Sequence, residues 1–485
     1  MLSLPDKGHI HLIAVCGTAM GSLAAMLRQL GYRVTGSDLH VYPPMSDFLR
    51  GEGIEIQSGF AAEHLDPAPD LVVIGNAVSR GNPEAEAALE RRIPYLCLPE
   101  VVRDLFLRQR RPAVITGTHG KTTTTALAAH LLQSAGRDPG FLVAGIPRDF
   151  PRPYQLGSGE YFVIEGDEYD SAFFAKYAKF LYYLPEVLVI NNIEFDHADI
   201  YRDLSEIERA FAQVINIVPG NGLVLANGDD PVVSRLLPRS PAPVQTFGLG
   251  SACDLRAGEI RPCEAGQRFT AWRGGERLGE FRVEMTGQHN VRNALAAVGV
   301  GLRAGLDTEE LGRGLASFKG MKRRQEPLGE VAGITLIDDF AHHPTAVAAT
   351  LQGLRQAHPD RRLWAVFEPA SASNARRTFE DRYVEAFGPA DCVVIGAVPR
   401  PERAGQDPPF SPARLAGTLE QSGRRAWHLA AADDIAGHLL DSLRPGDVVV
   451  FMSNGAFGGV QQKVVEGLGR APSPATPAAG TQHRA

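Results

Sequence analysis

The stretch Gly117-Thr118-His119-Gly120-Lys121-Thr122-Thr123 constrains this chain more than any other. It follows the apolar run Ala113-Val114-Ile115 and precedes an alanine- and leucine-rich helical pattern from Thr125 to Leu132. Strand, glycine-containing turn and helix in that order open a βαβ unit and imply a parallel sheet. Backbone N–H groups at such a helix start point at a bound polyphosphate, and the helix dipole favours negative charge there. Lys121 adds a point charge for the outer phosphates, and the Thr122 hydroxyl can reach a magnesium ion. Ile115 stands where the full phosphate-loop pattern has a glycine, so the generic pattern is matched in part. ATP or GTP is the expected ligand.

With 485 residues the chain is too long for one hydrophobic core, and about three domains are expected. The net charge of −7 gives no basic field for nucleic acid, so substrate phosphates must meet local positive sites. The cysteines at 16, 97, 253, 263 and 392 show no close pair of metal-ligand spacing, which suggests a reducing compartment. No apolar run of about eighteen residues is present, so no membrane span is expected. The N-terminus lacks the basic-then-apolar pattern of a signal peptide, and a cytoplasmic location is expected.

Each of three segments opens on a strand leading into a loop. The first reads His9 to Val15 as strand, Cys16 to Gly21 as turn, and then an apolar helix to Leu30. Tyr32 to Asp38 and Leu71 to Ile74 are further strands, and Arg108 to Pro112 reads as a linker. In the second segment the strands Tyr161–Ile164 and Val187–Ile190 run directly into Glu165-Gly166-Asp167-Glu168 and Glu194-Phe195-Asp196-His197. Ligands collect outside the carboxyl ends of parallel strands, so these acids belong near the phosphate turn. Residues 240 to 285 read as a small antiparallel appendage. Strands near 334–337, 363–367, 392–395 and 448–451 form the third segment, and the Pro-, Ala- and Gly-rich tail from Ala471 is expected to be disordered.

Several clusters carry chemistry. Magnesium takes oxygen ligands and usually one or two carboxylates, so Glu165 at its strand end is the candidate beside Thr122. Asp167, Glu168 and Asp170 read, each taken alone, as a solvated acidic loop sooner than as ligands. His197, after a strand and within acids, suits a second magnesium site. His289, Asn290 and Asn293 sit at a predicted helix start, where Asn293 can pair with an adenine edge and Asn290 can serve as a helix cap. Lys319 to Arg324 reads as a basic hinge or a solvated linker, ahead of Asp338-Asp339-Phe340-Ala341-His342-His343-Pro344. Gly17 and Gly21 with Asp38 give a short dinucleotide-type signal whose spacing suits a ribose or base contact.

With these motifs the chain resembles the ATP-dependent Mur ligase family over nearly its whole length. The likeness rests on Gly117 to Thr122, Glu165, Asn192-Ile193-Glu194 with Asp196-His197, His289-Asn290 with Asn293, Arg323-Arg324, and Asp338-Asp339 with His342-His343-Pro344. It implies an α/β fold of three domains. These are an N-terminal Rossmann-like UDP-binding domain (1–108), a central P-loop ATPase-type parallel sheet with a small β appendage (109–325), and a C-terminal Rossmann-like, peptide-binding domain (326–470). A tail (471–485) follows. The stretches Gly36 to Ser46 and Gly75 to Glu84 resemble the subgroup that couples UDP-N-acetylmuramate to the tripeptide L-alanyl-γ-D-glutamyl-meso-diaminopimelate; addition of L-alanine is the alternative.

The resemblance implies ATP and Mg2+ as cofactors, small-molecule substrates, and a monomer or weak homodimer. It implies ATP contacts at Gly117, Thr118, His119, Gly120, Lys121, Thr122, Thr123, His289, Asn290, Asn293, Arg324 and Asp339. Metal ligation falls to Thr122, Glu165 and His197, and catalysis to Lys121, His197, Arg324 and His342. UDP-sugar contacts are implied at Gly17, Thr18, Met20, Ser37, Asp38, Asn76 and Ser79. Peptide contacts are implied at Arg376, Arg377 and His343. Ala370 follows Glu368-Pro369 where related peptide ligases carry an arginine, so Arg376 or Arg377 is the substitute for carboxylate binding. No lysine matches the carbamylated one of several relatives. Two rivals from other classes are a nicotinamide oxidoreductase and a non-catalytic nucleotide sensor.

Overall fold

The computed structural model of the chain describes residues 7–43, 45–196, 200–264, 266–371, 373–404 and 408–470, with no side-chain description at 403 and 470. The tail expected from Ala471 lies outside the described residues. Two compact units, Met1–Lys322 and Arg323–Ala485, divide the chain.

The first unit begins with a five-stranded parallel sheet in the order Glu55–Ser58, Arg33–Asp38, His9–Ile13, Leu71–Ile74, Tyr95–Cys97. Leu71–Ile74 is a continuous buried apolar run, as a parallel strand covered on both faces tends to be, whereas His9–Ile13 and Arg33–Asp38 mix polar residues into the core. The strand order reverses between His9–Ile13 and Leu71–Ile74. The loops that follow these two strands therefore flank a crevice of the kind that binds ligands in open α/β sheets.

A ten-stranded sheet follows, with Arg111–Thr116 central, Val187–Ile190 and Leu223–Asn227 on one side, and Tyr161–Gly166 and Gly140–Leu142 on the other. Here too the order reverses, at Arg111–Thr116, and the phosphate turn leaves that strand's carboxyl end. The expected appendage is present as Leu255–Pro262, Gln267–Arg273 and Glu276–Val283, and it extends the same sheet through Val244–Gly248. The helices Lys121–Ser134 and Gln288–Arg303 share one apolar cluster over this sheet.

The linker expected over Arg108 to Pro112 is corrected at its end: Arg111 and Pro112 open the central strand. Arg111 keeps its charge satisfied there. Its Nη2 lies 2.6 Å from Glu186, and its guanidinium sits 4.7 Å over the Tyr161 ring. One continuous core also runs through both sheet modules of this unit, joining Leu23 and Met26 to Phe162 and Phe180.

The second unit is a six-stranded sheet in the order Glu326–Val331, Ile334–Asp339, Val448–Met452, Leu363–Phe367, Cys392–Ile395, Arg425–His428. Only the Glu326–Val331 edge pairs antiparallel. Among the described residues no helix is long and apolar enough to cross a membrane.

Candidate active site

The strand Arg111–Thr116 ends in Gly117 at φ 130°, and Gly120 at φ 83° caps the helix Lys121–Ser134 with no side-chain cap. Both glycines occupy left-handed backbone that side chains disfavour. A Cβ on Gly120 would lie 2.4 Å from Asn293 Oδ1. The turn is braced from the next strand's loop. The Thr118 N–H donates to the Asn192 carbonyl (3.1 Å), the His119 N–H to Asn192 Oδ1 (2.7 Å), and the Glu194 N–H to Thr118 Oγ1 (2.9 Å). The uncapped helix start and the glycine backbone leave a cradle that suits phosphate oxygens.

Lys121 reaches back over this turn. Its Nζ donates to the Gly117 carbonyl at 2.7 Å and to Glu168 Oε2 at 2.8 Å, with Asp167 at 4.0 Å. Burial acts to lower its pKa, but Glu168 and Asp167 outweigh it, and the ammonium is held above its ordinary value. The alternative of a solvated acidic loop is therefore corrected for Glu168, which is 1% exposed and serves as the lysine's partner. Thr122 Oγ1 donates to Glu165 Oε2 at 3.0 Å, and the Ala144 N–H donates to Glu165 Oε1 at 2.7 Å. Burial, with Asp167 beside it, pushes Glu165 up to about 7. A buried carboxylate next to a threonine hydroxyl is an oxygen donor set that fits a hard cation. His197 lies outside the described residues.

The helix Gln288–Arg303 brings Asn293 to the turn. Asn293 Nδ2 donates to Asn290 Oδ1 (3.1 Å), and Asn290 Nδ2 donates to the Thr286 carbonyl (2.9 Å). Asn290 thus lies in the first turn, and the cap position belongs to Gly287. Arg292, which the sequence reading passed over, donates from Nε to Asp229 at 2.9 Å.

On the first sheet, Gly17 caps the helix Thr18–Gln29 without a side-chain bond, and Gly17, Thr18, Asn76 and Ser79 are exposed. Asp38 holds the turn: its carboxylate accepts from the Cys16 N–H (2.8 Å) and the His40 N–H (3.0 Å). Met20 is buried, 6% exposed. Ser37 turns inward and donates its hydroxyl to Glu84. Glu84 has no solvent exposure and also accepts from His64, from His11 Nε2 (3.4 Å) and from the Ala61 N–H (3.2 Å). This network was not visible in the sequence.

In the second unit Arg323 is at φ 57°, and its Nη2 donates to the carbonyls of Ser453 and Gly455, each at 2.7 Å. The reading of this run as a solvated linker is corrected for Arg323, while Lys319 and Lys322 are exposed. The Arg324 guanidinium lies 4.6 Å from the Phe340 ring centre. Asp339 is buried: it accepts from the Gln325 N–H (2.8 Å) and the Ala341 N–H (2.7 Å). His342 is half-buried, with Nδ1 3.0 Å from the Phe340 carbonyl. His343 is 1% exposed and caps the helix Pro344–Ala357. Arg376 is half-buried in a loop bridged to Pro409, and Arg377 is exposed. Asn374 and Tyr383, to which the sequence assigned no role, pin the His342 carbonyl.

Comparison with known proteins adds to this geometry. Residues 9–110 match the Mur ligase family catalytic domain, 115–301 the Mur ligase middle domain, and 323–455 the Mur ligase glutamate ligase domain. The chain is 40% identical to the UDP-N-acetylmuramate–L-alanyl-γ-D-glutamyl-meso-2,6-diaminoheptandioate ligase of Escherichia coli, over 95% of this chain and 98% of that one. It is 39% identical to the UDP-N-acetylmuramate–L-alanine ligase of Variovorax paradoxus, over 94% of each. The crystal structure of a murein peptide ligase from Psychrobacter arcticus superposes with a TM-score of 0.71 at 34% identity, covering 96% of this chain and 100% of that one. Matched along nearly its whole length, the chain belongs to the Mur ligase family of ATP-dependent ligases.

Proposed function

We propose that this protein joins UDP-N-acetylmuramate to the tripeptide L-alanyl-γ-D-glutamyl-meso-diaminopimelate, hydrolysing ATP to ADP and phosphate. The observation that carries this reading is the near full-length identity to the Escherichia coli ligase named for that reaction. The lactyl carboxylate of the sugar attacks the γ-phosphate, forming an acyl phosphate. The peptide amine then attacks that carbonyl, and orthophosphate leaves. Positioning and charge stabilisation carry most of the catalysis in such phosphoryl transfer.

The residues take definite parts in this scheme. Lys121, now paired with Glu168 and the Gly117 carbonyl, exchanges these partners for outer phosphate oxygens. Thr118, His119, Thr123 and the two turn glycines cradle the phosphates through their backbone, and His289, Asn290 and Asn293 line the nucleotide's base side. Glu165 and Thr122, with His197, are the assigned magnesium ligands; the ion, when bound, neutralises phosphate charge. Arg324 is assigned to the γ-phosphate and His342 to the amine or leaving phosphate. Asp339, tied up by two backbone amides, is assigned a positioning role. Gly17, Thr18, Asp38, Asn76 and Ser79 form the UDP-sugar face, with Met20 and Ser37 beneath it. Arg376 and Arg377 are assigned to peptide carboxylates, and His343 shapes the adjoining turn. We place the reaction in the cytoplasm, carried out by a monomer or weak homodimer.

Addition of L-alanine is the second reading, favoured by the 39% identity to the alanine ligase. Purified protein given UDP-N-acetylmuramate, ATP and either amine separates the two. Phosphate release is expected with the tripeptide and not with L-alanine. Release that follows alanine and ignores tripeptide overturns the first reading.

A further inference from the structure

The segment from Tyr169 to the strand Val187–Ile190 has no role in the scheme above. It folds into a tight hook. The Ser171 N–H donates to the Ala175 carbonyl (3.1 Å), the Ala175 N–H donates to the Ala172 carbonyl (3.0 Å), and Ser171 Oγ donates to the Tyr177 carbonyl (3.2 Å). At its base the hook is clamped to the phosphate-side acids. Lys179 Nζ lies 3.3 Å from Asp167 Oδ2 and 4.0 Å over the Tyr169 ring.

The tip of the hook leaves its own sheet and packs on the other. Ala172 and Ala175 cluster with Cys97 at the end of the first sheet, and Phe174 meets Tyr95 edge-on at 5.0 Å. Phe173 packs against the apolar cluster of Ile13, Val72, Ile74 and Val78, which lies under the UDP-sugar face. Ala14 packs on the same cluster and stands at φ 64°, a left-handed conformation that alanine disfavours and that neighbouring structure must hold. The Arg80 guanidinium, one residue beyond Ser79, lies 6.0 Å from the Phe173 ring centre. Phe173 thus packs on the cluster that holds Ile13, next to Ala14, and Val78, within the Asn76–Arg80 loop, from a segment that begins at the phosphate-side carboxylates.

We infer that Phe173 is a positioning residue that fixes the two UDP-sugar loops from the phosphate-side segment. The inference rests on the proposed UDP-sugar reading of the first sheet. Truncating the ring lets Ala14 and the Asn76–Arg80 loop relax, and a loosened first sheet no longer presents a preformed site. The phosphate turn keeps its own bracing from Asn192 and Glu194.

Calorimetric titration of full-length protein with UDP-N-acetylmuramate, and separately with magnesium and a non-hydrolysable ATP analogue, tests this. Phe173→Ala is expected to weaken UDP-N-acetylmuramate by about tenfold, while the analogue's Kd stays within about twofold. Phe173→Tyr is expected to restore most of the loss. The inference is overturned if Phe173→Ala binds the sugar nucleotide as the parent does, or weakens both ligands equally. Failure of the unmodified protein to bind UDP-N-acetylmuramate would overturn the functional reading and this inference with it. Binding by the unmodified protein with an indifferent Phe173→Ala overturns the inference alone.

Discussion

Lys121 Nζ and Glu168 Oε2 lie 2.8 Å apart, with side-chain exposures of 12% and 2%. The lysine proposed for the phosphates is thus paired with a buried carboxylate. Removing one partner of such a pair strands the other charge, at a cost of about 3 kcal/mol or more. Lys121→Met should therefore lose turnover by on the order of 10^2- to 10^3-fold and also melt earlier. Adding Glu168→Gln should recover most of the melting temperature and none of the turnover. A double variant as unstable as Lys121→Met would mean that the pair does not hold the loop. Affinity of either variant for UDP-N-acetylmuramate should stay near that of the parent.

Gly120 makes a steric prediction. At φ 83°, with Asn293 Oδ1 2.4 Å from the site of an added Cβ, alanine meets both backbone strain and a collision. Left-handed backbone alone costs about 1–2 kcal/mol, and Asn293 must move away from the turn. Gly120→Ala should weaken binding of an ATP analogue by about tenfold or more. Unaltered analogue affinity by calorimetry would show that the approach of Asn293 to the turn does not matter for the nucleotide.

Much of this site was legible because its signals are local. The apolar run Ala113 to Ile115, the turn and the helix announce one another over a few residues, and Glu165 follows its strand directly. The Glu84 network was not legible, since His11, Ser37 and His64 meet it only across packed elements. Ser37 and Asp38 adjoin in sequence, but alternation along a strand sends one side chain inward and leaves the other at the turn. Arg111 and Pro112 looked like punctuation because a proline cannot donate to a strand ladder and the arginine beside it brings a charge. Glu186 and Tyr161, distant in sequence, make that strand start workable. His343 looked like half of a functional pair, and its location shows a capping residue whose neighbour His342 remains half-buried.

Glu84 gives a pH prediction. Burial acts to raise its pKa, but hydrogen bonds from His11, Ser37 and His64 prevail and hold it below the usual 4.5. A carboxyl with a depressed folded-state pKa contributes stability above its unfolded value, and that contribution is lost as pH falls through the folded one. Glu84→Gln should cost about 2 kcal/mol at neutral pH, since buried His11 and half-buried His64 lose a charged partner. Between pH 4.5 and the folded pKa the variant's unfolding midpoint should fall less steeply than the parent's. Parallel acid limbs in chemical denaturation would remove the ionised network.

Asp339 tests the opposite balance. Burial raises its pKa, although Arg324 and the N–H groups of Ala341 and Gln325 act to lower it. The charge therefore detracts from stability as pH rises through the raised value, and asparagine at this position would relieve that. Against this stands geometry: Oδ1 accepts from Ala341 and Oδ2 from Gln325, so an amide must aim its own N–H group at one of these donors. A donor facing a donor, together with one lost charge-assisted bond, costs about 2–3 kcal/mol, which outweighs the relief at neutral pH. Asp339→Asn should melt earlier and show raised KM for ATP, because Gln325 at φ 50° and the adjoining Arg324 lose their anchor. The melting deficit should narrow as pH is raised. A variant with parental melting temperature and parental KM would exclude the positioning role.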